Sequence, residues 1–394
     1  MIDADRRWSQ HGFSLVELMI ALFIGSLLIL GAVQVFGASR AAYQMSEGIA
    51  RVQENGRFAL DFLQRDIRMA GHFGCVNDQS HVLNDPSGLN STFGAVPHPG
   101  LEFGVSIQGY EATDTAPGDT VTIGTPPTSG GGTFSPALPA EIAAATTNRL
   151  IDSDILALRY LAPEGVPVTS IGGTAPAPVF QFDPTRWDVL RSGVDDPGLF
   201  GAADCLGVTV FQANAVNSGA GEVVMGAAPN NLGPTFQQVF TAGQTTLHRA
   251  ESLVYYVGLN AAGNPALYRV RFQAAPNGLL APDAQELVEG VENLQLIYGV
   301  DRELDSTRPP TGYIDKQYVA SAAALGALPE GWRRVGSVQI ALLASSPDRA
   351  VAAQATDLDA QLMGAGVSYV TPEDARYRTV YQSTIALRNR LYGN

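Results

Sequence analysis

Gly12-Phe13-Ser14-Leu15-Val16-Glu17 opens the stretch that decides the fold, which runs on unbroken through LMIALFIGSLLILGAVQVF to Phe36. Between Phe13 and Phe36 Glu17 is the one charge, and about 20 apolar residues suffice to cross a bilayer. The stretch is read as a membrane helix. Ahead of it stands only the polar leader MIDADRRWSQHG, with Arg6 and Arg7 beside Asp3 and Asp5. A secretory signal would end in a small-residue cleavage site; Gly37-Ala38-Ser39 keeps that alternative open, but the chain continues there into more helix. Glu17 is the anomaly. A carboxylate inside a membrane helix costs about 2.5–3.5 kcal/mol on insertion scales, so it needs a partner. The plain alternative is a single-pass anchor with an accidental acid.

Outward from this stretch the helical pattern persists. Ile49, Val52, Gly56, Leu60, Leu63, Ile67 and Ala70 recur at three-to-four spacing, with Arg51, Glu54, Arg57, Asp61, Arg65 and Arg68 on the rest of the surface. Glu47 to Arg51 and Asp61 to Arg65 are favourable pairs one turn apart, no proline occurs before Pro86, and Gly71 supplies a stop. One helix is predicted from Phe13 to about Ala70. Its second half must pack on something: on the chain's own sheet, the favoured reading, or on another helix as a short coiled coil. Gly25, Gly31, Gly37, Gly48 and Gly56 are points of bending or of close helix packing.

Beyond Gly71 the character changes. With 45% hydrophobic and 16% charged residues the chain of 394 is not disordered, and Gly 42 and Pro 24 suit short strands joined by many turns. Strands are expected at Thr120–Ile123, Asp154–Tyr160, Val208–Gln212, Ser252–Gly258, Ala266–Phe272, Leu294–Val300, Ser337–Leu343 and Thr379–Leu387, with a short helix or turn at Asp283–Val291. Gly124 to Pro139, Pro163 to Pro178 and Ala213 to Pro234 read as loops. Lys+Arg 24 against Asp+Glu 38 gives a net charge of -14, which argues against a general nucleic-acid binder. An enzyme reading finds little. His11, His72, His81, His98 and His248 form no metal-binding spacing, Gly130-Gly131-Gly132 lacks a P-loop ending, and Gly104 to Gly109 misses a nucleophile elbow by one residue. No cofactor is expected, and a membrane-anchored periplasmic enzyme remains only a remote alternative.

The junction of glycine, aromatic, lone acid and apolar run resembles the prepilin-type N-terminal methylation motif of the type IV pilin superfamily. The resemblance implies cleavage after Gly12 by a prepilin peptidase, methylation of the new N-terminus at Phe13, and a role for Glu17 in assembly, where it meets the amine of a neighbouring subunit. An intrachain pair of Phe13 with Glu17, one turn apart, stays open. The body resembles the PilW group of minor pilins. This rests on Leu63-Gln64-Arg65-Asp66-Ile67-Arg68-Met69-Ala70-Gly71 with Phe73-Gly74-Cys75, Asp204-Cys205, Asp154-Ile155-Leu156 with Arg159-Tyr160, Val291 to Gln295 and Tyr298 to Asp301, and the tail Thr384-Ile385-Ala386-Leu387-Arg388-Asn389-Arg390. Leu328 to Trp332 also resembles a minor pseudopilin of type II secretion, the alternative.

What the resemblance implies is an α+β, pilin-like fold: leader 1–12, membrane and assembly helix 13–36, amphipathic continuation 37–71 and periplasmic β-rich body 72–394. It implies a minor pilin that helps initiate pilus assembly in a tip-located complex, supporting twitching motility and adhesion. The partners would be other minor pilins, the major pilin, prepilin peptidase, the assembly platform and a tip adhesin. Such a protein starts in the inner membrane with a cytoplasmic N-terminus and ends in the pilus. With the body outside the cytoplasm, Cys75 and Cys205 can form a disulfide, two separate buried thiols being the alternative. Asp301, Glu303 and Asp305 are a weak calcium candidate, since Arg302 intrudes and a loop glycine is missing. The basic tail, Arg376, Arg378, Arg388 and Arg390, is a partner surface or the salt-bridged face of an edge strand.

Overall fold

The computed structural model describes residues 12, 14–77, 89–94, 98–174, 177–231, 240–305, 308, 310–328, 331–347 and 362–390. A single helix, Leu15–Met69, spans 55 residues, about 82 Å at ~1.5 Å per residue. It forms because nothing interrupts it and both ends are signalled. Ser14 caps the start, and Gly71, at φ 75°, turns the chain away just past Ala70. Its residues buried on the body are Gly48, Val52, Gly56, Ala59, Leu63, Asp66 and Ile67, so the stripe legible in the sequence is the docked face. The helix lies on the chain's own sheet, and the coiled-coil alternative is not what the chain uses.

The body is two mainly antiparallel sheets that share a core, with smaller ribbons at the edges; Leu89–Ser91 pairs parallel with Val208–Asn217 in the larger one. The larger, 12-stranded sheet is organised by the long strand Thr246–Leu259, which pairs with Pro265–Gln273 and Ile155–Leu161 along its second half and with Leu199–Ala203 near its start. The smaller sheet runs Ile314–Tyr318, Val291–Asp301, Val335–Ser345, Arg378–Ala386. The helix crosses the Arg378–Ala386 side of it. One core serves all three parts: Ala59, Leu63 and Ile67 from the helix, Leu156, Leu158 and Leu253 from the large sheet, and Leu294, Leu296, Ile340 and Leu342 from the small one. A second core, with Phe180, Phe200, Phe211 and Leu247, fills the far end of the large sheet.

Three expectations are corrected. Asp283–Val291 is neither helix nor turn. Ala281–Glu289 is an edge strand paired with Pro265–Gln273, its helix-forming Glu and Gln residues overridden by the hairpin. The 163–178 stretch holds the strand Val166–Thr174, with Val166 and Val168 inward and Pro167 and Thr169 outward. The 213–234 stretch carries the rest of Val208–Asn217 and the strand Glu222–Met225, which pair across a turn. In both, Gly and Pro content outweighed a short alternation of apolar residues in the sequence reading. Of the two helix ion pairs expected, Arg51 meets Glu47 at 2.6 Å, but Asp61 and Arg65 do not pair.

Candidate assembly site at the helix N-terminus

Gly12 stands exposed before the helix; Phe13 and the leader up to His11 lie outside the described residues. The helix begins with a reciprocal cap. The Ser14 hydroxyl accepts from the backbone N–H of Val16 at 3.2 Å and of Glu17 at 3.5 Å, and the Ser14 N–H donates to Glu17 Oε2 at 2.9 Å. Glu17 is therefore both the lone acid of the apolar run and the N3 member of a capping box, placed where a helix dipole favours negative charge. The sequence signal for this cap is Ser14-x-x-Glu17, the spacing of a capping box.

From Leu15 to Phe36 the apolar side chains are not buried against any of the described residues of the body. Leu15, Leu22, Phe23, Leu28, Ile29 and Phe36 are all largely exposed, and the first buried residue is Gly48. The helix is the one, among the described residues, long and apolar enough to cross a membrane. Leu15 to Phe36 covers about 33 Å, matching a ~30 Å hydrocarbon core. Ser26, the hydroxyl inside this run, donates to Phe23 O at 2.7 Å and so presents no unpaired donor to lipid.

Docking is made tight by glycine and fixed by polar contacts. At Gly56 the Tyr381 ring lies where a Cβ would stand, 2.2 Å from the nearest ring atom, and the Tyr381 hydroxyl donates to Val52 O at 3.2 Å. One turn before the end, the buried Asp66 carboxylate accepts from Tyr160 at 3.2 Å and Tyr255 at 2.5 Å and pairs with Arg269 at 3.4 Å. Burial first, and then the Asp66 charge, raise both phenols well above their usual range, so they stay protonated as donors. Asp66 has no sequence signal beyond an acid sitting on an apolar face.

Just past the helix, Cys75 is bonded to Cys205 across a separation of 130 residues. Gly74, at φ 77°, lets the backbone pass Ala203, whose Cβ is 2.9 Å from where a Gly74 Cβ would stand. Beside it His72 and His248 meet edge to face, with one ring nitrogen each on Leu161 O and Ala162 O, at 3.0 and 2.9 Å. Both are structural contacts.

The calcium candidate is not assembled as a ligand set. Asp301 is buried and accepts from the N–H groups of Glu303, Thr311 and Gly312 and the Thr311 hydroxyl, while Arg308 lies 3.5 Å from Glu303 and 3.6 Å from Asp305. Among the described residues no three His, Cys, Asp or Glu side chains converge. In the basic tail Arg378 is buried on Glu292, at 2.7 Å, and Asp374, and Arg390 is buried with Nη2 donating to Trp332 O, so these two do not form an outward partner surface.

A long helix whose first part projects apolar and unburied, whose second part docks on antiparallel sheet, and whose first turn carries a capped acid behind a glycine defines a pilin-like subunit. Residues 254–389 match the family of type IV pilus-assembly protein W, and residues 9–33 match the prokaryotic N-terminal methylation motif. The chain thus carries a W-family region of type IV pilus assembly behind a methylation-type N-terminus. A type IV-like pilin from Thermus thermophilus is similar at 17% identity and a TM-score of 0.20, over 36% of this chain and 70% of that one. No curated protein matches the chain.

Proposed function

We propose that the chain is a minor pilin, cut after Gly12 by prepilin peptidase, held in the inner membrane by Phe13–Phe36 with its body in the periplasm, and then drawn into a type IV pilus. The role is structural and associative. Phe13 would carry the new, methylated amine, and Glu17 would set the axial register of the subunit against the amine of a neighbour. With other minor pilins it would prime the filament and remain near its tip, supporting twitching and adhesion.

The observation that supports this reading is the end of the helix. Glu17 sits at the mouth of a run of side chains with no partner in the body, and its contact there is a cap N–H. The cap hydrogen bond to the carboxylate is charge-assisted and worth about 1.5–3 kcal/mol, and an ammonium in lipid would compete with it because charge pairs strengthen as the dielectric falls.

The test is mass spectrometry of sheared filaments. Mature protein beginning at Phe13, present at far lower abundance than the main subunit, is expected. Mature protein retaining Met1–Gly12 in cells with active prepilin peptidase, or a Glu17→Ala variant incorporated at the normal level, overturns the reading. Deletion separates it from the pseudopilin alternative: pili and twitching are lost while protein secretion stays normal.

A further inference from the structure

We infer that the cavity between the end of the long helix and the large sheet is a binding site for a small oxyanion ligand, one bearing phosphate or carboxylate groups. The cavity measures about 630 Å³, within the range of small-molecule sites. Five arginines and three carboxylates line it, a net of two positive charges on a chain whose total is -14.

Two of the three carboxylates are already committed to neighbours inside the wall, and the third, Asp61, stands exposed on the helix. Asp66 is taken by two tyrosines and Arg269, and Glu251, almost fully buried, is shared by Arg249 and Arg271, the latter at 3.1 Å. Burial alone would raise the Glu251 carboxyl, and the surrounding arginines overcome it and hold it low, so this wall stays ionised. The arginines, by contrast, have donors to spare. Arg65 and Arg68, exposed on the helix, form no ion pair among the described residues. Arg249 is 4% exposed, and among the described residues its Nε has no acceptor, although Nη2 reaches Glu251 and, at 3.3 Å, Ser192 O. A buried donor without an acceptor is costly, and a planar guanidinium meets phosphate or carboxylate through two parallel hydrogen bonds.

The placement follows from the topology. Arg269 and Arg271 alternate on one strand and so share a face, and their partners across the ladder, Tyr255 and Leu253, continue on the same strand into Glu251 and Arg249. The helix then brings Arg65 and Arg68 over the opening. The inference is independent of how the helix is used in a membrane or filament.

The experiment is isothermal titration of the full chain in detergent with inorganic phosphate and, separately, citrate, against chloride at equal ionic strength. Saturable binding of either one is expected, phosphate alone identifying a phosphate ligand and citrate alone a carboxylate one. The double variant Arg65→Ala/Arg68→Ala, both exposed and away from the core, is expected to weaken it about tenfold or more, which is ~1.4 kcal/mol per factor of ten. Neither anion binding beyond chloride, an adventitious weak association unchanged in the double variant, or full binding by a variant with both helix arginines removed overturns the inference.

Discussion

Replacing Gly56 by alanine sets two calculable effects against each other. In the middle of a helix the change removes backbone freedom from the unfolded chain and is worth up to about 1 kcal/mol of stability. Against this, the new methyl would stand 2.2, 2.5 and 2.6 Å from three atoms of the Tyr381 ring, distances no carbon pair tolerates. The ring cannot swing freely, because its hydroxyl is tied to Val52 O. Displacing it forfeits that hydrogen bond, about 1 kcal/mol, and overpacks the interface at a cost of about 1–3 kcal/mol. The net expectation is a loss of about 1–3 kcal/mol. Removing Tyr381 first should reverse the sign: in a Tyr381→Ala background, the Gly56→Ala methyl enters the space the ring has vacated and stabilises. The assay is urea unfolding of the full chain in detergent for both single variants and the double variant, read as a double-mutant cycle. Gly56→Ala raising stability with Tyr381 present, or equal effects in the two backgrounds, would refute the view that glycine is there to admit the ring.

Cys75→Ser/Cys205→Ser opens a loop of 130 residues and should lower stability by up to about 5 kcal/mol; a reductant should lower the melting temperature of the native chain and leave that of the variant where it is. Arg378→Met strands the buried Glu292 carboxylate and should cost about 3–5 kcal/mol, whereas adding Glu292→Gln should recover part of it, both measured by chemical unfolding. Glu111 is buried, and desolvation, followed by repulsion from Asp154, pushes its carboxyl up to about 9 from the usual 4.5; burial raises the neighbouring Asp154 carboxyl too, against the backbone N–H groups of Ala112 and Leu296 that favour its charge. Between those two values the unfolded chain gives up a proton that the folded chain keeps. Stability should therefore fall as pH rises toward 9, by at most about 1.4 kcal/mol per pH unit for this group, and Glu111→Gln should flatten the fall.

What the sequence revealed, and what it hid, follows from the range of the forces involved. The helix Leu15–Met69 was legible because apolar period, missing proline and stop glycine are all local. Ser14 and Glu17 were legible in principle through the spacing of the capping box, although that spacing was not used. Strands buried on both faces, such as Ile155–Leu161 and Val291–Asp301, announced themselves as apolar runs. Edge strands did not: in Ala281–Glu289 the first six residues are exposed, and only the hairpin with Pro265–Gln273 makes them a strand. Asp301, Glu303 and Asp305 looked like one loop of acids, yet their partners come from Thr311, Gly312 and Arg308, further along a turn whose path the spacing does not encode. The arginine-lined cavity was hidden for the same reason. Its charges come from a helix and two strands about 180 residues apart in the chain.

The buried Asp66 has a consequence for how the two ends of the molecule are related. An apolar stripe alone fixes which face of a helix docks but constrains sliding weakly, since the next turn presents similar side chains. A slide of one residue would carry Asp66 ~1.5 Å along the axis and turn it by about 100°, removing it from Tyr160, Tyr255 and Arg269 together and leaving a buried carboxylate unpaired. The helix is thus locked axially at Asp66, and the disulfide at Cys75 ties down the chain where it leaves the helix. Glu17 lies about 74 Å away on the same unbroken helix. If Glu17 sets an axial register as proposed, the register would be transmitted to the body with little freedom to drift except by bending of the helix before Gly48, where none of the described residues is buried against the body.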